Sequence, residues 1–409
     1  MKTSYPLHKI KAVLLENIHP LAAERLEAAG YHVERYDRAF QGEELIEVAG
    51  DAHLIGIRSK TRLTAEYFAA ARRLWGVGCF CIGTNQVDLP AAAGRGVPVF
   101  NSPFQNTRSV AELVISEIVA LHRRLADRSA QMHQGVWVKS AKGAHEIRGR
   151  TLGIVGYGRI GSQVSVLAEA MGMNVLYYDV VDVLPLGNAT RMPSLETLLE
   201  ASDVVTLHVP ATPLTRMMMR AEQLERMRPG AMLLNNARGD VVDVHDLAAS
   251  LRAGHLAGAA VDVFPIEPES NNEPFKSPLQ GIDNVILTPH IGGSTVEAQQ
   301  AIAQSASERL VTLMNTGATG TAVNVPQVQL PRLHERDHRL LYFHRNVPGV
   351  LSKLHRVFAD LEVNISAEYL QSNMNHAYAI MDFAPFDDED ALKARIEDIP
   401  ETIRLRMLW

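Results

Sequence analysis

Three side chains suited to hydride-transfer chemistry on a hydroxy acid each follow a predicted strand. Arg238 follows the apolar run AMLLNNA, Glu267 follows AAVDVFPI, and His290 follows NVILTP. An imidazole can accept a hydroxyl proton near neutral pH, and a carboxylate on its other nitrogen fixes its tautomer. A guanidinium fork binds a substrate carboxylate. Because the carboxyl ends of parallel strands meet at one edge of a sheet, the three groups are predicted to converge there.

Taken singly, each of these residues has a simpler interpretation. Arg238 lies in ARGD, which is compatible with a turn, and Glu267 lies in a proline-containing loop. One of 16 histidines is more often structural than catalytic. Their common position at strand ends favours catalysis. We do not interpret the RGD tripeptide as an adhesion motif, because nothing in the sequence indicates secretion.

A glycine-rich turn predicts a dinucleotide site. Gly156, Gly158 and Gly161 form G-x-G-x-x-G directly after the strand-like run LGIV, and helix-like sequence follows. Such glycines allow a tight turn, close approach of a pyrophosphate and close helix packing. Asp179 ends the next strand, NVLYYD, where a carboxylate bonds ribose hydroxyls and repels a 2′-phosphate, which favours NAD. The simpler interpretation is a plain turn followed by a surface acid.

The order of elements predicts an α/β protein. Residues 10–100 alternate β-branched runs with helix-like segments, as in a small flavodoxin-like domain, and six more regular strands follow Thr151. Long helices are predicted over NTRSVAELVISEIVALHRRLADRSAQMHQ, opened by a Thr or Asn cap, and over STVEAQQAIAQSASERLVTLMNTG. We therefore expect a Rossmann-type doubly wound sheet inserted in a smaller domain, with the ligand in the cleft between them.

The C-terminal segment reads strand, helix, strand, strand, helix, strand, which is the ferredoxin-like βαββαβ order. It follows a proline-containing, charged stretch that is typical of a linker. The predicted domains are a discontinuous substrate-binding domain (1–106 and 295–328), a Rossmann domain (107–294), a linker (329–337) and a C-terminal domain (338–409).

Composition restricts the function further. The 409 residues are 46% hydrophobic and 21% charged with a net charge of −6, which excludes broad attraction to nucleic acid or anionic membranes. The N-terminus lacks the apolar core of a secretory signal and no run reaches membrane length, so a cytoplasmic protein is expected. The two cysteines, Cys79 and Cys81, lack further ligands nearby, so no metal site is expected.

Several segments resemble the D-isomer specific 2-hydroxyacid dehydrogenase family: GYGRIG, LLNNARGDVVD, AVDVFPIEP and TPHIGGST, together with Asp179. CIGTNQVDL, FNSPFQNTRSVAELVI and GVWVKSAKG resemble members that act on phosphoglycerate, so the resemblance covers nearly the whole chain. The chain departs from the family pattern in its second asparagine before Ala237 and in ARGD, and neither departure removes a catalytic group. Besides the three glycines, the implied cofactor contacts are Arg159, Ile160, Asp179, Ala237, Arg238, Asp262, Gly292 and Gly293.

The resemblance implies a reaction and its catalytic residues. The expected reaction is NAD-dependent oxidation of 3-phospho-D-glycerate to 3-phosphohydroxypyruvate, the first step of L-serine biosynthesis. The implied catalytic residues are Arg238, Glu267 and His290.

The resemblance also implies residues that select the substrate. Arg58, Lys60 and Arg62 follow the strand HLIGI as a basic cluster that matches a phosphate-binding set, and Asn106 is expected to join them. A solvated basic loop is the simpler interpretation. Trp137 is either a core aromatic or, as in similar enzymes, a contact to a neighbouring subunit, which implies a homo-oligomer, namely a tetramer.

The last domain resembles an ACT domain, a small-molecule sensor of amino-acid pathways. The resemblance implies inhibition by L-serine, bound between two such domains by His344, Asn346 and Asn364. Pro348 and Gly349 open a helix whose first N–H groups can bind a carboxylate. The simpler interpretation is that these residues only cap a helix and a turn.

Three other functions stay open. A relative acting on glyoxylate, hydroxypyruvate or 2-oxoglutarate is disfavoured by the Arg58 cluster and by the ACT-like domain. An NAD-sensing corepressor keeps the same fold and catalytic residue types, but such proteins end in disordered sequence, unlike residues 338–409 here. A regulator that only carries an ACT-like domain would not need Arg238, Glu267 and His290.

Overall fold

The computed structural model describes residues 5–268, 272–331, 337–386 and 388–409. They form two compact units, of which one contains Met1–Gln105 and Gln299–Trp409 and the other contains Asn106–Ala298. Most of the predicted linker, 332–336, lies outside the described residues. Within the described part of the chain, no helix is long and apolar enough to cross a membrane.

The first unit begins with a five-stranded parallel sheet in the order β2-β1-β3-β4-β5, which is the predicted flavodoxin-like order. Its strands are β1 (Lys11–Leu14), β2 (His32–Arg35), β3 (Leu54–Ile57), β4 (Gly76–Cys79) and β5 (Val99–Phe100). Its helices are α1 (Leu21–Ala28), α2 (Gly42–Ala49), α3 (Ala65–Ala70) and α4 (Leu89–Gly94). Every residue of β3 and β4 is buried, because helices cover the faces of a parallel sheet.

The second unit contains a seven-stranded parallel sheet in the order β12-β11-β10-β9-β6-β7-β8. The strands are β6 (Thr151–Val155), β7 (Asn174–Tyr178), β8 (Thr190–Arg191), β9 (Val204–Leu207), β10 (Met232–Asn235), β11 (Gly258–Val261) and β12 (Val285–Leu287). The sequence predicted six of them. β8 was missed because two exposed residues carry no hydrophobic pattern.

Helices α5 (Thr107–Arg123), α6 (Leu125–His133), α7 (Arg159–Ala170), α8 (Leu195–Ala201), α9 (Ala221–Arg226) and α10 (Val244–Arg252) complete this unit. The prediction of one continuous helix from residue 106 was wrong. Arg124 has a left-handed φ of 52°, which separates α5 from α6. Asp127 on α6 accepts a hydrogen bond from the backbone N–H of Asn284 at 3.0 Å, so a tertiary contact fixes the new direction. Asn106, one of the two residues expected to cap α5, precedes the helix without a side-chain bond to it.

Helix α11 (Val296–Thr316) leads to the C-terminal domain, whose βαββαβ order is as predicted. The elements are β13 (His338–Arg345), α12 (Val350–Asp360), β14 (Ile365–Ser372), β15 (His376–Phe383), α13 (Glu389–Glu397) and β16 (Thr402–Leu408). The strands form an antiparallel sheet in the order β14-β15-β13-β16.

The C-terminal domain shares a core with the first domain of its unit. Leu341, Phe343 and Tyr378 belong to the same apolar cluster as Leu310 and Leu313 of α11. The Tyr378 hydroxyl donates to the carbonyl oxygen of Gly317 at 2.6 Å. Arg339, which is fully buried, pairs with Asp382 and also donates to the carbonyl of Thr316 at 3.0 Å. The two domains are therefore joined by buried contacts as well as by the chain.

Candidate active site

The turn between β6 and α7 requires glycine. Gly156 has φ +91°, and a Cβ there would lie 2.5 Å from the carbonyl oxygen of His208. A Cβ on Gly161 would lie 2.2 Å from the carbonyl oxygen of Gly156. At Gly158 a Cβ would meet nothing within 4 Å, so this side of the turn is open to a ligand. The order of strands reverses between β6 and β9, which is where doubly wound sheets bind dinucleotides.

The beginning of α7 adds an anion-binding element to this turn. The helix starts at Arg159, directly after Gly158, so its first N–H groups lie beside the open side of the turn. Arg159 is exposed and Ile160 is half-buried. The turn therefore fits the pyrophosphate of a dinucleotide.

Asp179 lies at the carboxyl end of β7, where the prediction put it. Its Oδ2 atom accepts a hydrogen bond from the N–H of Tyr157 at 2.7 Å, and its Oδ1 atom accepts one from Val181 at 2.9 Å. An ionised carboxylate accepts about four hydrogen bonds, so capacity is left for two ribose hydroxyls. The bond to Tyr157 also fixes the carboxylate next to the glycine turn.

His290 and Glu267 are in direct contact. The Nδ1 atom of His290 lies 2.9 Å from the Oε2 atom of Glu267, while the Oε1 atom accepts the N–H of Phe264 at 3.1 Å. About half of the His290 side chain is exposed (51%). No described residue is hydrogen-bonded to its Nε2 atom. That nitrogen is available to a substrate.

The pair shifts each partner's pKa toward the charged form. The hydrogen bond to Glu267 raises the pKa of His290, and this outweighs the opposing effects of burial and of the Arg238 charge. Burial raises the pKa of the Glu267 carboxyl, but the bond from His290 and the charges of His290 and Arg238 outweigh it, so the net shift is downward. The site therefore stabilises an imidazolium, as proton acceptance from a hydroxyl requires.

Asp262 holds the loop that carries the histidine. Its Oδ1 atom accepts bonds from the Thr288 hydroxyl at 2.7 Å and the Ile291 N–H at 2.8 Å, and its Oδ2 atom accepts the Gly292 N–H at 2.8 Å. The carbonyl of Asp262 accepts the His290 N–H at 2.8 Å. These bonds keep His290 in the left-handed region, with φ 55°, a conformation that costs energy in a residue other than glycine. Asp262 was predicted only as a cofactor contact, and this positioning role was missed.

Arg238 lies just past β10, in a turn built by Asn235. The Asn235 side chain donates to the carbonyl of Arg238 at 3.0 Å and accepts the N–H of Ala237 at 3.1 Å. The Arg238 guanidinium donates to the carbonyl of Ala237 at 2.7 Å, and its charge reaches both His290 and Glu267. All three predicted catalytic residues thus belong to one compact unit and interact electrostatically.

A buried Glu117–Asn236 pair supports this turn, and the prediction missed it. The Asn236 amide donates to the Oε2 atom of Glu117 at 3.0 Å, and both side chains are almost fully buried. Burial raises the pKa of Glu117 to about 8, so the carboxyl is protonated at neutral pH. The signal was an acid on the apolar face of α5, three residues after Val114. The pair also accounts for the second asparagine before Ala237.

The predicted basic cluster lies on an ordered loop of the first unit. The Glu16 carboxylate accepts backbone N–H bonds from Arg58 at 3.1 Å, Lys60 at 3.0 Å and Thr61 at 2.8 Å. The Gln41 side chain bonds both the carbonyl of Lys60 and the N–H of Arg62. The loop is therefore folded around Glu16, whose role the sequence did not reveal.

The remaining predicted residues lie in varied positions. Gly292 is buried and lies close to Asp262. Asn106 approaches the histidine loop, because a Cβ on Gly293 would lie 2.6 Å from its Nδ2 atom. Ala237 is buried. Trp137 is 76% exposed in the loop after α6 and is not a core aromatic in the chain.

The three residues predicted to bind serine are not brought together within one chain. His344 and Asn346 lie at the carboxyl end of β13, which pairs with the start of β15 at His376. Asn364 precedes β14, whose first residue pairs with the other end of β15 at Phe383. At about 3.3 Å per residue, the seven-residue span of β15 separates these ends by roughly 23 Å.

Known proteins resemble this chain in sequence and in fold. Residues 115–292 match the family model described as D-isomer specific 2-hydroxyacid dehydrogenase, NAD binding domain. The D-lactate dehydrogenase of Aquifex aeolicus, solved with NAD and lactic acid, has a TM-score of 0.65 and 28% identity, covering 74% of this chain and 95% of that one. The chain belongs to the D-isomer specific 2-hydroxyacid dehydrogenase family, whose members are NAD-dependent oxidoreductases, and NAD is its cofactor.

Two relatives match this chain over its full length. The chain is 51% identical to the D-3-phosphoglycerate dehydrogenase of Haemophilus influenzae, covering 100% of this chain and 99% of that protein. It is also 51% identical to the D-3-phosphoglycerate dehydrogenase of Escherichia coli, covering 100% of each. The similarity therefore includes the C-terminal domain.

Proposed function

We propose that this chain oxidises 3-phospho-D-glycerate to 3-phosphohydroxypyruvate with reduction of NAD, the first step of L-serine biosynthesis. The observation that carries this proposal is the bond between His290 and Glu267, which leaves the second imidazole nitrogen available beside Arg238. The names of the full-length relatives support the choice of substrate.

The proposed mechanism assigns one role to each group. His290 Nε2 accepts the proton of the substrate 2-hydroxyl, and Glu267 stabilises the imidazolium that results. Arg238 binds the substrate carboxylate through its planar fork. NAD, when bound, supplies the hydride acceptor. In the reverse direction His290 returns the proton while Arg238 polarises the 2-oxo oxygen.

The cofactor contacts are proposed on the geometry of the second unit. Gly156, Gly158 and Gly161 form the open turn for the pyrophosphate, and Asp179 has acceptor capacity for the ribose hydroxyls. Asp262 positions the loop that carries His290 by accepting its Ile291 and Gly292 N–H groups.

We assign the substrate phosphate to Arg58, Lys60 and Arg62, joined by Asn106. Support comes from the loop's folding around Glu16, which fixes the backbone from which the cationic side chains extend. A fixed loop loses less conformational entropy on binding a ligand than a mobile one. Guanidinium groups also match the geometry of a phosphate.

The test is a set of initial rates with 3-phosphoglycerate and with hydroxy acids that lack a phosphate. We expect NAD reduction with 3-phosphoglycerate, and we expect Arg58→Ala to raise its KM far more than that of D-lactate or glycerate. Arg35→Ala, an exposed arginine in β2, serves as the matched control. Absence of NAD reduction with 3-phosphoglycerate, alongside NADH oxidation with another 2-oxo acid, contradicts the proposed substrate.

We further propose inhibition by L-serine bound between two C-terminal domains. The Nε2 atom of His344 is buried and has no hydrogen-bond partner, and burial lowers the pKa of this histidine, so it is neutral. Because His344 and Asn346 lie far from Asn364 within one sheet, a site that uses all three requires a second copy of the domain. Rates measured with and without L-serine test this, and Asn364→Ala is expected to abolish any inhibition without changing the uninhibited rate.

Self-association into a homo-oligomer, namely a tetramer, is part of this proposal. Leu125 and Met132 on α6 and Val136, Trp137 and Val138 after it are all exposed apolar side chains. A group of exposed apolar side chains that lie close in the chain supports a protein contact. Trp137→Ala is expected to shift the oligomer toward smaller species in sedimentation velocity, whereas an unchanged distribution argues against this contact.

A further inference from the structure

A cavity of about 580 Å³ lies between the C-terminal domain and the first domain of the same unit. The first domain contributes Arg72, which follows α3, and Arg95, which follows α4. The C-terminal domain contributes Arg345, at the end of β13, and Arg404, on β16. Four arginines from two domains therefore line one cavity.

None of these four arginines forms a salt bridge with a described residue. Among the described residues, no carboxylate oxygen lies within 4.0 Å of any of the four guanidinium groups. Glu401, the acid whose pKa Arg345 influences, already accepts two hydrogen bonds from Lys353 Nζ, at 2.7 and 2.9 Å. Burial lowers the pKa of His376, the histidine of the cavity wall, which favours its neutral form, so the positive charge of the cavity comes from the arginines. The cavity carries a net positive charge.

The surroundings of Arg404 make the unpaired positive charge of the cavity energetically unfavourable. Its guanidinium stacks 3.6 Å from the centroid of the Trp75 ring and donates to the carbonyl oxygens of Arg72 and Leu74. Burial, together with the charges of Arg95 and Arg406, lowers the pKa of Arg404 to about 9. A cation that is partly withdrawn from water is stabilised by pairing with an anion, which offsets the cost of its desolvation. An anion in the cavity would remove this penalty.

We propose that this cavity is a binding site for a small polyanion, a metabolite with at least two phosphoryl or carboxylate groups, which bridges the two domains. Several guanidinium groups around one space suit a ligand with several anionic groups, because a guanidinium fork can bind an anionic group through two hydrogen bonds. Arg404 already donates to two backbone carbonyls and Arg345 to the carbonyl of Pro400, so Arg72 and Arg95 offer the freer forks and Arg404 contributes mainly charge. The volume is sufficient for a molecule of the size of pyrophosphate or citrate, two probes that represent the two kinds of anionic group.

The site has a structural consequence, since its ligand would contact both domains at once. Binding to the docked arrangement alone stabilises that arrangement by mass action. Arg345 lies between His344 and Asn346, which are assigned to the effector site, so the loop is shared by two ligand sites. The polyanion site itself does not depend on the proposed activity.

The test is isothermal titration calorimetry of the full-length protein saturated with NADH, using pyrophosphate and citrate at an ionic strength matched with sodium chloride. Arg95→Gln and Arg345→Gln are each expected to weaken binding by about tenfold or more, the scale of a charge-assisted hydrogen bond. Both side chains are exposed, so the fold is expected to persist, as unchanged melting temperatures without anion would verify. Arg73→Gln, an exposed neighbour outside the cavity, is expected to bind within twofold of the unmodified protein.

Arg58→Gln separates this site from the proposed substrate site. This variant is expected to bind pyrophosphate and citrate as the unmodified protein does.

The two probes distinguish the kinds of ligand. Tighter binding of pyrophosphate identifies a phosphoryl ligand, and tighter binding of citrate identifies a polycarboxylate. The proposal is overturned if neither anion binds beyond the chloride control, if Arg95→Gln and Arg345→Gln bind as the unmodified protein does, or if the loss occurs only in Arg58→Gln.

Discussion

His290 is hydrogen-bonded to Glu267 through Nδ1 at 2.9 Å, and both residues belong to the same compact unit as the glycine turn. The proposed base and the group that orients it are therefore assembled by one sheet and its loops. Among the described residues, the hydrogen-bond partners of this pair all belong to that unit. Its chemistry can accordingly be tested separately from substrate recognition.

Replacement of His290 by Ala tests the base directly. We expect turnover to fall by about 100- to 10,000-fold, the usual contribution of general base catalysis. NADH affinity, measured by fluorescence titration, is expected to stay within about twofold, because the glycine turn and Asp179 do not contact the imidazole. The exposed His245→Ala in the same unit serves as the control. Unchanged turnover in His290→Ala would exclude the assigned role.

The raised pKa of His290 predicts the pH dependence. The neutral imidazole is the base, so kcat/KM for oxidation is expected to rise with pH through a midpoint above the ordinary value of 6.5. The reductive direction needs the imidazolium and is expected to fall over the same range. Glu267→Gln removes the carboxylate that raises the pKa, so the midpoint is expected to move to lower pH. Identical pH profiles for the variant and the unmodified enzyme would contradict this.

Arg238→Lys tests whether a planar fork is needed rather than a positive charge. Lysine keeps the charge but loses the paired hydrogen bonds to the carboxylate. We expect kcat/KM for the hydroxy acid to fall by about 10- to 100-fold, the scale of a lost charge-assisted hydrogen bond, while NADH affinity is retained. Arg216→Lys, an exposed arginine in the same unit, is the control. Full activity of Arg238→Lys would mean that charge alone is sufficient.

Gly158→Ala tests whether this glycine is needed for NADH to approach the turn rather than for the turn to fold. A Cβ at Gly158 meets no protein atom within 4 Å, so we expect the melting temperature to be unchanged. The same methyl group occupies the open side of the turn, and NADH affinity is expected to fall by about tenfold or more. By contrast, Gly161→Ala puts a Cβ 2.2 Å from the carbonyl of Gly156 and is expected to lower the melting temperature. Unaltered NADH affinity in Gly158→Ala would place the pyrophosphate elsewhere.

Glu117→Gln tests the buried acid. Because burial raises its pKa to about 8 from 4.5, the folded state retains a proton that the unfolded state releases, so stability falls as pH rises from 4.5 to 8. Glutamine cannot ionise and preserves the shape, so we expect a gain of about 2–4 kcal/mol at pH 8 and little change at pH 4.5. Thermal unfolding across this pH range measures it. The exposed Glu112→Gln on the same helix should show no such pH dependence, and equal slopes for both variants would contradict the prediction.

The order of strands and the positions of Arg238, Glu267 and His290 could be predicted because they follow continuous apolar runs. A buried strand of four residues, such as β10 or β11, leaves a strong local pattern, and the residue after it lies at a known edge. The glycine turn was predictable for the same reason. The roles of these residues stay predictions, although their positions are now defined.

The missed features depend on contacts between distant parts of the chain. Glu16 is buried under a loop that begins at Arg58, and nothing near either residue indicates the contact. The interruption at Arg124 is fixed by a bond from Asn284 to Asp127, also far apart in sequence. Glu117 alone left a local signal, as an acid on an apolar helix face.

The shared core of Leu341, Phe343 and Tyr378 with α11 means that the C-terminal domain is not a detachable module. A chain truncated after Gly317 would present bare apolar side chains to water and leave the Gly317 carbonyl without the Tyr378 hydroxyl. Such a fragment would tend to aggregate. Deleting the domain would thus disturb solubility before it could reveal what the domain does, and point substitutions are the cleaner test of its proposed regulatory role.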